Sequence, residues 1–287
     1  VRMEQIGQAL LYCKDEEGSI QEQNDAYRTL LKKYENGEAT DDWLREFLPE
    51  SCFLQEFSER RGNIVRWLGL KPGTKVLELG SECGAVTETL LDMGCRVTCV
   101  EESLVKSRIN AHRNGKAHSF SIYVEDAESY VPGEQYDLIL VWKTRETEKI
   151  QERLKSLAQR LTPKGRLLAA FYNRYALRKW GGYRQRYHEE MFREKEEGIA
   201  YSEIKKLVSC FAAEAPQLYY PYPDHEHMIA LYSDDFLPKE GELFKNAVPF
   251  QEGRLEFFNE TKAFDQIILD GMFAQYTNSY ALLMGGK

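Results

Sequence analysis

The sequence has no C-x-x-C pair. Its six cysteines (Cys13, Cys52, Cys83, Cys95, Cys99 and Cys210) are scattered, which argues against a zinc knuckle or a dithiol redox motif. Cys95 and Cys99 stand at an even spacing in CRVTCV, on one face of a strand, and read as packed thiols. No apolar run approaches the roughly 18 to 20 residues that cross a bilayer; the best candidate, YDLILVW, is one strand long. The opening VRMEQIGQ lacks the basic and apolar regions of a signal peptide, so a soluble, cytoplasmic protein without a membrane span is expected. Positive charge is also in deficit: the formal net charge of −8 offers no general attraction to phosphates, and no DNA partner is expected. There is no internal repeat and no low-complexity tract. What is present is apolar material, 43% hydrophobic with 12% aromatic over 287 residues, which is ample for a folded core.

The first sixty residues are charged. QEQNDAYRTLLKKYENGE and TDDWLREFLPESCFLQEFSERRGNIVRWLGL carry apolar residues at spacings of three and four, so residues 1–60 are read as a helical N-terminal cap. From Lys71 the pattern alternates. KVLELG, CRVTCVE, SFSIYVED, YDLILVW and RLLAAFYN read as strands, separated by helical stretches such as VTETLLDMG and ESLVKSRINAHRNG. That order argues an α/β fold with a doubly wound, mostly parallel sheet. A basic, aromatic insertion follows over 174–198, then a helix (YSEIKKLVSCF), a strand (APQLYYPYP) and two further strand candidates, HMIALYS and SYALLMGG, with an elaboration over 233–275.

In open α/β sheets ligands bind beyond the carboxyl ends of the strands, where strand order reverses. The first such loop, VLELGSECGAV, offers Glu78, Gly80 and Gly84, glycines that let backbone turn tightly near a ligand. Glu101 ends the second strand, where a carboxylate can accept from ribose hydroxyls, and Asp126-Ala127 follow the third, where an acid can accept from an adenine amino group. The spacings fit an adenosyl ligand across the strand tips. NADH is the competing occupant of such a loop.

VLELGSECGAVTETL, CRVTCVE, VEDAESY, YDLILVW and LTPKGRLLAAFYNR resemble the successive motifs of class I S-adenosylmethionine-dependent methyltransferases, over roughly residues 60 to 175. More narrowly, FSERRGNIVRWL, NRYALRKWGG and YYPYPDHEHMIALYSDDFLPKEGEL resemble bacterial methyltransferase domains found beside or fused to glycosyltransferases in cell-surface glycan synthesis. The resemblance implies a Rossmann-like sheet of seven strands within 61–287, with the last strand, SYALLMGG, antiparallel and inserted beside the sixth. It implies S-adenosylmethionine (SAM) as cofactor, with Glu78, Gly80, Ser81 and Gly84 at its methionine part, Glu101 at the ribose and Asp126 with Ala127 at the adenine. The implied partners are a sugar or glycan acceptor and a glycosyltransferase domain or neighbour.

Methyl transfer to a sugar hydroxyl needs a base and an oriented acceptor. His188 in the insertion, and Asp224 and His225 in PDHEH, are the candidate bases; the competing readings are an exposed helix residue and a solvated turn. Tyr172, Asn173, Arg174 and Trp180 follow the fifth strand and are candidates to line an acceptor pocket. Arginines and lysines interleaved with aromatics from Arg174 to Tyr187 suit an anionic or sugar-phosphate acceptor, or equally form a solvated basic face. No metal-ligand spacing is evident; His225-x-His227 alone is thin support for one. The chain departs from the family pattern at Glu82, where a small residue is usual, and at WKTRETEK after the fourth strand. Those departures keep open a degenerate, cofactor-free module that scaffolds a glycosyltransferase. A small-molecule or RNA methyltransferase would keep the fold and change the acceptor.

Overall fold

A computed structural model describes residues 2–13, 25–39, 56–142, 149–183, 198–212, 215–243 and 257–285. Their strands form one sheet in the order β1-β2-β5-β4-β3-β6-β7-β10-β8-β9. The strands are β1 (Arg2–Ile6), β2 (Ala9–Cys13), β3 (Lys75–Leu79), β4 (Arg96–Val100), β5 (Phe120–Val124), β6 (Tyr136–Val141), β7 (Leu161–Tyr172), β8 (Gln217–Tyr222), β9 (Ala230–Ser233) and β10 (Ser279–Gly285).

The centre is parallel: β3 pairs with β4 and β6, β4 with β5, and β6 with β7. Strands covered on both faces must be apolar throughout, and Leu138, Ile139 and Leu140 of β6 are all inaccessible to solvent. One core layer gathers Leu77, Ile139, Leu154, Leu167 and Phe211 on one face of the sheet; the other gathers Val76, Leu90, Val97, Leu138 and Leu140. β10 runs antiparallel between β7 and β8, the place expected for SYALLMGG.

Two expectations need correction. The sheet has ten strands among the described residues, not seven: the seven expected ones are extended by β9 at one edge and by β1 and β2 at the other. And the amino-terminal segment is not helical throughout. Residues 2–13 form a β-hairpin that turns at Gly7 and Gln8 and docks β2 in parallel on β5. Its ALLYC alternates buried and half-buried positions, a period-2 signal that the charged surroundings obscure. The helix Asp25–Glu35 is as read, and its Tyr27, Leu30 and Leu31 pack with Cys83 and Ile109 beside the first strand–helix loop. Among the described residues no helix is long and apolar enough to cross a membrane.

Strand order reverses between β3 and β6. The crevice beyond their carboxyl ends is the ligand position of this architecture.

Candidate functional site

Three carboxylates stand at the tips of three adjacent parallel strands. Glu78 is within β3, Glu101 directly follows β4, and Asp126 lies two residues past β5. Glu78 is fully buried and accepts from the Thr87 hydroxyl at 2.6 Å and the Trp142 indole N–H at 3.2 Å. Burial pushes its carboxyl up to about 7, against the opposing pull of these donors and of Arg61. Trp142 therefore closes over Glu78 at the tip of β6. Glu101 is buried too, with one oxygen accepting from the Glu82 amide at 2.9 Å and the other from the Ser103 amide at 3.1 Å. Each oxygen retains a second lone pair for a ribose hydroxyl. Asp126 is exposed and accepts from the Glu128 amide, while Ala127 is half-buried with its carbonyl accepting from Arg153.

The loop after β3 is held from within. Gly80 and Ser81 donate their amides to the Val100 carbonyl, Glu82 to Glu101, and Gly84 to the Ser81 carbonyl. Asn114 and Arg113 bind the carbonyls of Gly84 and Cys83. A diphosphate-bearing dinucleotide relies on free amides of such a loop; four of them here are directed inward, which disfavours the NADH alternative.

Glu82 neither faces solvent nor stands as an isolated charge. Its carboxylate pairs with the Arg61 guanidinium at 2.7 Å, and Arg61 also lies 3.0 Å from Glu226. Arg61 reaches the loop because a single helical turn, 59–62, is capped by the Ser58 hydroxyl and pressed on the helix Ala85–Asp92. Gly62 allows that approach: a Cβ there would lie 1.9 Å from the Thr89 hydroxyl.

The PDHEH loop after β8 is not a solvated turn. Asp224, His225 and His227 are buried. Asp224 accepts from Arg178 at 2.6 Å and from the amides of Glu226 and His227. Burial would raise its carboxyl, but Arg178 and the hydrogen bonds hold it well below the usual carboxylate range. A carboxylate so engaged is an anchor and a poor base. His225 is different: burial lowers its ring below the ordinary histidine value, its Nδ1 has no hydrogen-bond partner among the described residues, and its ring lies 4.5 Å from that of Tyr172. A neutral imidazole with an unpartnered nitrogen can take up a proton.

Of the residues after β7, Tyr172 flanks both His225 and Arg178. Burial raises its phenol well above the ordinary tyrosine value. Asn173 is a clamp: its amide donates to the carbonyls of Gln275 and Thr277, and its oxygen accepts from the Tyr175 amide, so these polar atoms are committed to the fold. Arg174 pairs with Glu203 and donates to the Gly198 carbonyl. Trp180 is half exposed. Arg178 is buried and neutralised by Asp224, contrary to a solvated basic face or a phosphate cradle. His188 lies outside the described residues. Sequence reasoning missed Arg61 and Glu226 altogether. Both are charged residues beside recognisable motifs, and only the tertiary fold pairs them.

No family model matches the chain. Over 122 residues, 42% of this chain and 51% of the relative, it is 30% identical to the demethylmenaquinone methyltransferase of Tropheryma whipplei. It thus spans about half the length of the curated relatives it matches. Among solved structures, the phosphoethanolamine N-methyltransferase 1 of Haemonchus contortus, in complex with phosphoethanolamine and S-adenosylhomocysteine, aligns at TM-score 0.50. It is 12% identical, over 91% of this chain and 48% of that one. The plantazolicin methyltransferase BpumL, in complex with S-adenosylhomocysteine, aligns at 0.47 and 14% over 92% and 96%. The chain has the Rossmann-like fold of the SAM-dependent methyltransferases.

Proposed function

We propose that this chain is a SAM-dependent methyltransferase whose acceptor is a sugar or glycan hydroxyl. The observation that carries the cofactor half is the row of Glu78, Glu101 and Asp126 at the tips of β3, β4 and β5, beside the strand-order reversal. Glu101 would hold the ribose, and Asp126 with Ala127 the adenine edge. Gly80, Ser81 and Gly84 would form the wall beside the methionine part, with Glu78 bordering it from beneath Trp142. When bound, the cofactor supplies an electrophilic methyl group on a sulfonium. The protein's tasks are then to orient the acceptor and to receive its proton.

His225 is the base this reading favours, since it is neutral and buried with an unpartnered Nδ1. Asp224 acts through position: it fixes the loop that carries His225, by accepting the two following amides and pairing with Arg178. Tyr172 lies tilted against His225 and would offer an aromatic face to a sugar ring. A glycosyltransferase neighbour that makes the glycan remains part of this reading, resting on resemblance alone. Calorimetric titration with SAM and S-adenosylhomocysteine, followed by methyl transfer to a panel of sugars and glycans, tests it. Micromolar binding with transfer to a sugar supports it; transfer only to non-sugar acceptors refutes the acceptor half.

The second reading, a silent methyltransferase-like module that scaffolds a glycosyltransferase, is favoured by one observation: Glu82 already occupies Arg61. It requires that neither ligand bind.

A further inference from the structure

Glu82 is one of two described non-glycine residues with positive φ, at 48°. The left-handed region costs an L-residue on the order of 1 kcal/mol, so this conformation persists because surrounding contacts hold it. Two do so visibly. The Glu82 amide donates to Glu101, and its carboxylate pairs with Arg61 in a setting where both side chains are about nine-tenths buried. Glu226 approaches the same guanidinium from the loop after β8. Arg61 thus brings positive charge to the loop after β3, and two of the protein's own carboxylates already face it.

We infer that Glu82 sets ligand selectivity at the amino-acid end of the pocket, by holding Arg61 in the manner of a ligand carboxylate. An adenosyl ligand with a carboxylate must displace Glu82 from Arg61 or bind without that cation, whereas one lacking the carboxylate meets no such competition. The inference rests on the adenosyl-binding reading above and adds a rule of discrimination to it. No covalent step is involved. The exchange is of one carboxylate for another at Arg61, with Glu226 keeping the guanidinium in place.

Two thioether probes separate the effects: S-adenosylhomocysteine, and its decarboxylated analogue S-adenosyl-3-thiopropylamine, which keeps the amine and loses only the carboxylate. Calorimetric affinities are measured for the native protein, Glu82→Gln, and Glu82→Gln combined with Arg61→Gln. Glutamine preserves size and backbone conformation, whereas glycine would also relieve the strained φ. A charge-assisted hydrogen bond released for the ligand is expected to tighten S-adenosylhomocysteine on the order of tenfold in Glu82→Gln. The decarboxylated analogue should change less than about twofold, and the double variant should lose the gain. An equal shift for both probes, or no tightening of S-adenosylhomocysteine, overturns the inference while leaving the adenosyl site standing. Failure of both probes to bind any variant that retains its native circular dichroism overturns the adenosyl reading and the inference with it.

Discussion

Replacing Asp224 should damage the protein out of proportion to the size of the change. Arg178 and Asp224 are each almost wholly buried, and their contact is 2.6 Å. Removing one partner of such a pair leaves an uncompensated buried charge, at a cost of about 3 to 5 kcal/mol. Asp224→Asn keeps the side-chain shape and one oxygen for the amides of Glu226 and His227, so most of its cost should come from the stranded guanidinium. Arg178→Met with Asp224→Asn removes both charges and should cost less than Asp224→Asn alone. The coupling is then favourable by roughly 2 kcal/mol or more. Urea unfolding at pH 7, followed by circular dichroism, reads this as a lowered midpoint for the single variant and partial recovery in the double. The pair also sets a pH signature: because the folded pKa of Asp224 is depressed, its stabilisation is present above the unfolded value near 3.8 and is lost as pH falls through the folded value. A cost below about 1 kcal/mol for Asp224→Asn, the range of solvated pairs, would refute the assignment of a buried ion pair.

Glu78 carries the opposite sign. Its folded pKa is raised to about 7, so its contribution to stability is full below the unfolded value and is lost as pH rises through 7; it amounts to at most roughly 3 kcal/mol. The melting-temperature advantage of Glu78→Gln over the native protein should therefore grow from pH 4.5 to pH 8, as differential scanning calorimetry would read. Gly84→Ala places a Cβ 2.2 Å from the Asn110 side-chain oxygen at a φ of 83°. It should destabilise by roughly 2 to 4 kcal/mol in chemical denaturation. Among the described cysteines, Cys210 is exposed and Cys13, Cys83, Cys95 and Cys99 are buried. A thiol reagent followed by peptide mapping should label Cys210 fast and these four only on unfolding.

The central strands were legible because burial on both faces demands continuous apolar runs such as LILV in β6. The spacing of acids at the ends of β3, β4 and β5 was legible for a related reason: each strand end is marked by the change from apolar to polar. The hairpin β1–β2 was not, because five-residue strands beside a charged segment give too short an alternation to outweigh a helical neighbour. The sequence leaves Asp224 and His225 between candidate bases and a solvated turn, because local composition reports polarity and not burial. Asp224 finds its charge partner 46 residues away, at Arg178. The pairing of Arg61 with Glu82 spans 21 residues, and no pattern along the chain signals it.

These long-range pairs form one connected path. Glu82 on the loop after β3 meets Arg61, Arg61 meets Glu226, the Glu226 amide binds Asp224, and Asp224 meets Arg178 in the segment after β7. The path ties the N-terminal turn to three strand tips, so a shift at any one carboxylate alters the charge felt at the next. Of these five side chains three are carboxylates and two are guanidiniums, and each guanidinium is already matched. Arg61 and Arg178 are thus engaged with the protein's own carboxylates, while the part of the basic run from 184 to 187 lies outside the described residues. A neutral hydroxyl, oriented on aromatic faces and deprotonated by an uncharged imidazole, asks nothing of those arginines. On the proposed reading, a neutral sugar hydroxyl leaves the pairs of Arg61 and Arg178 intact.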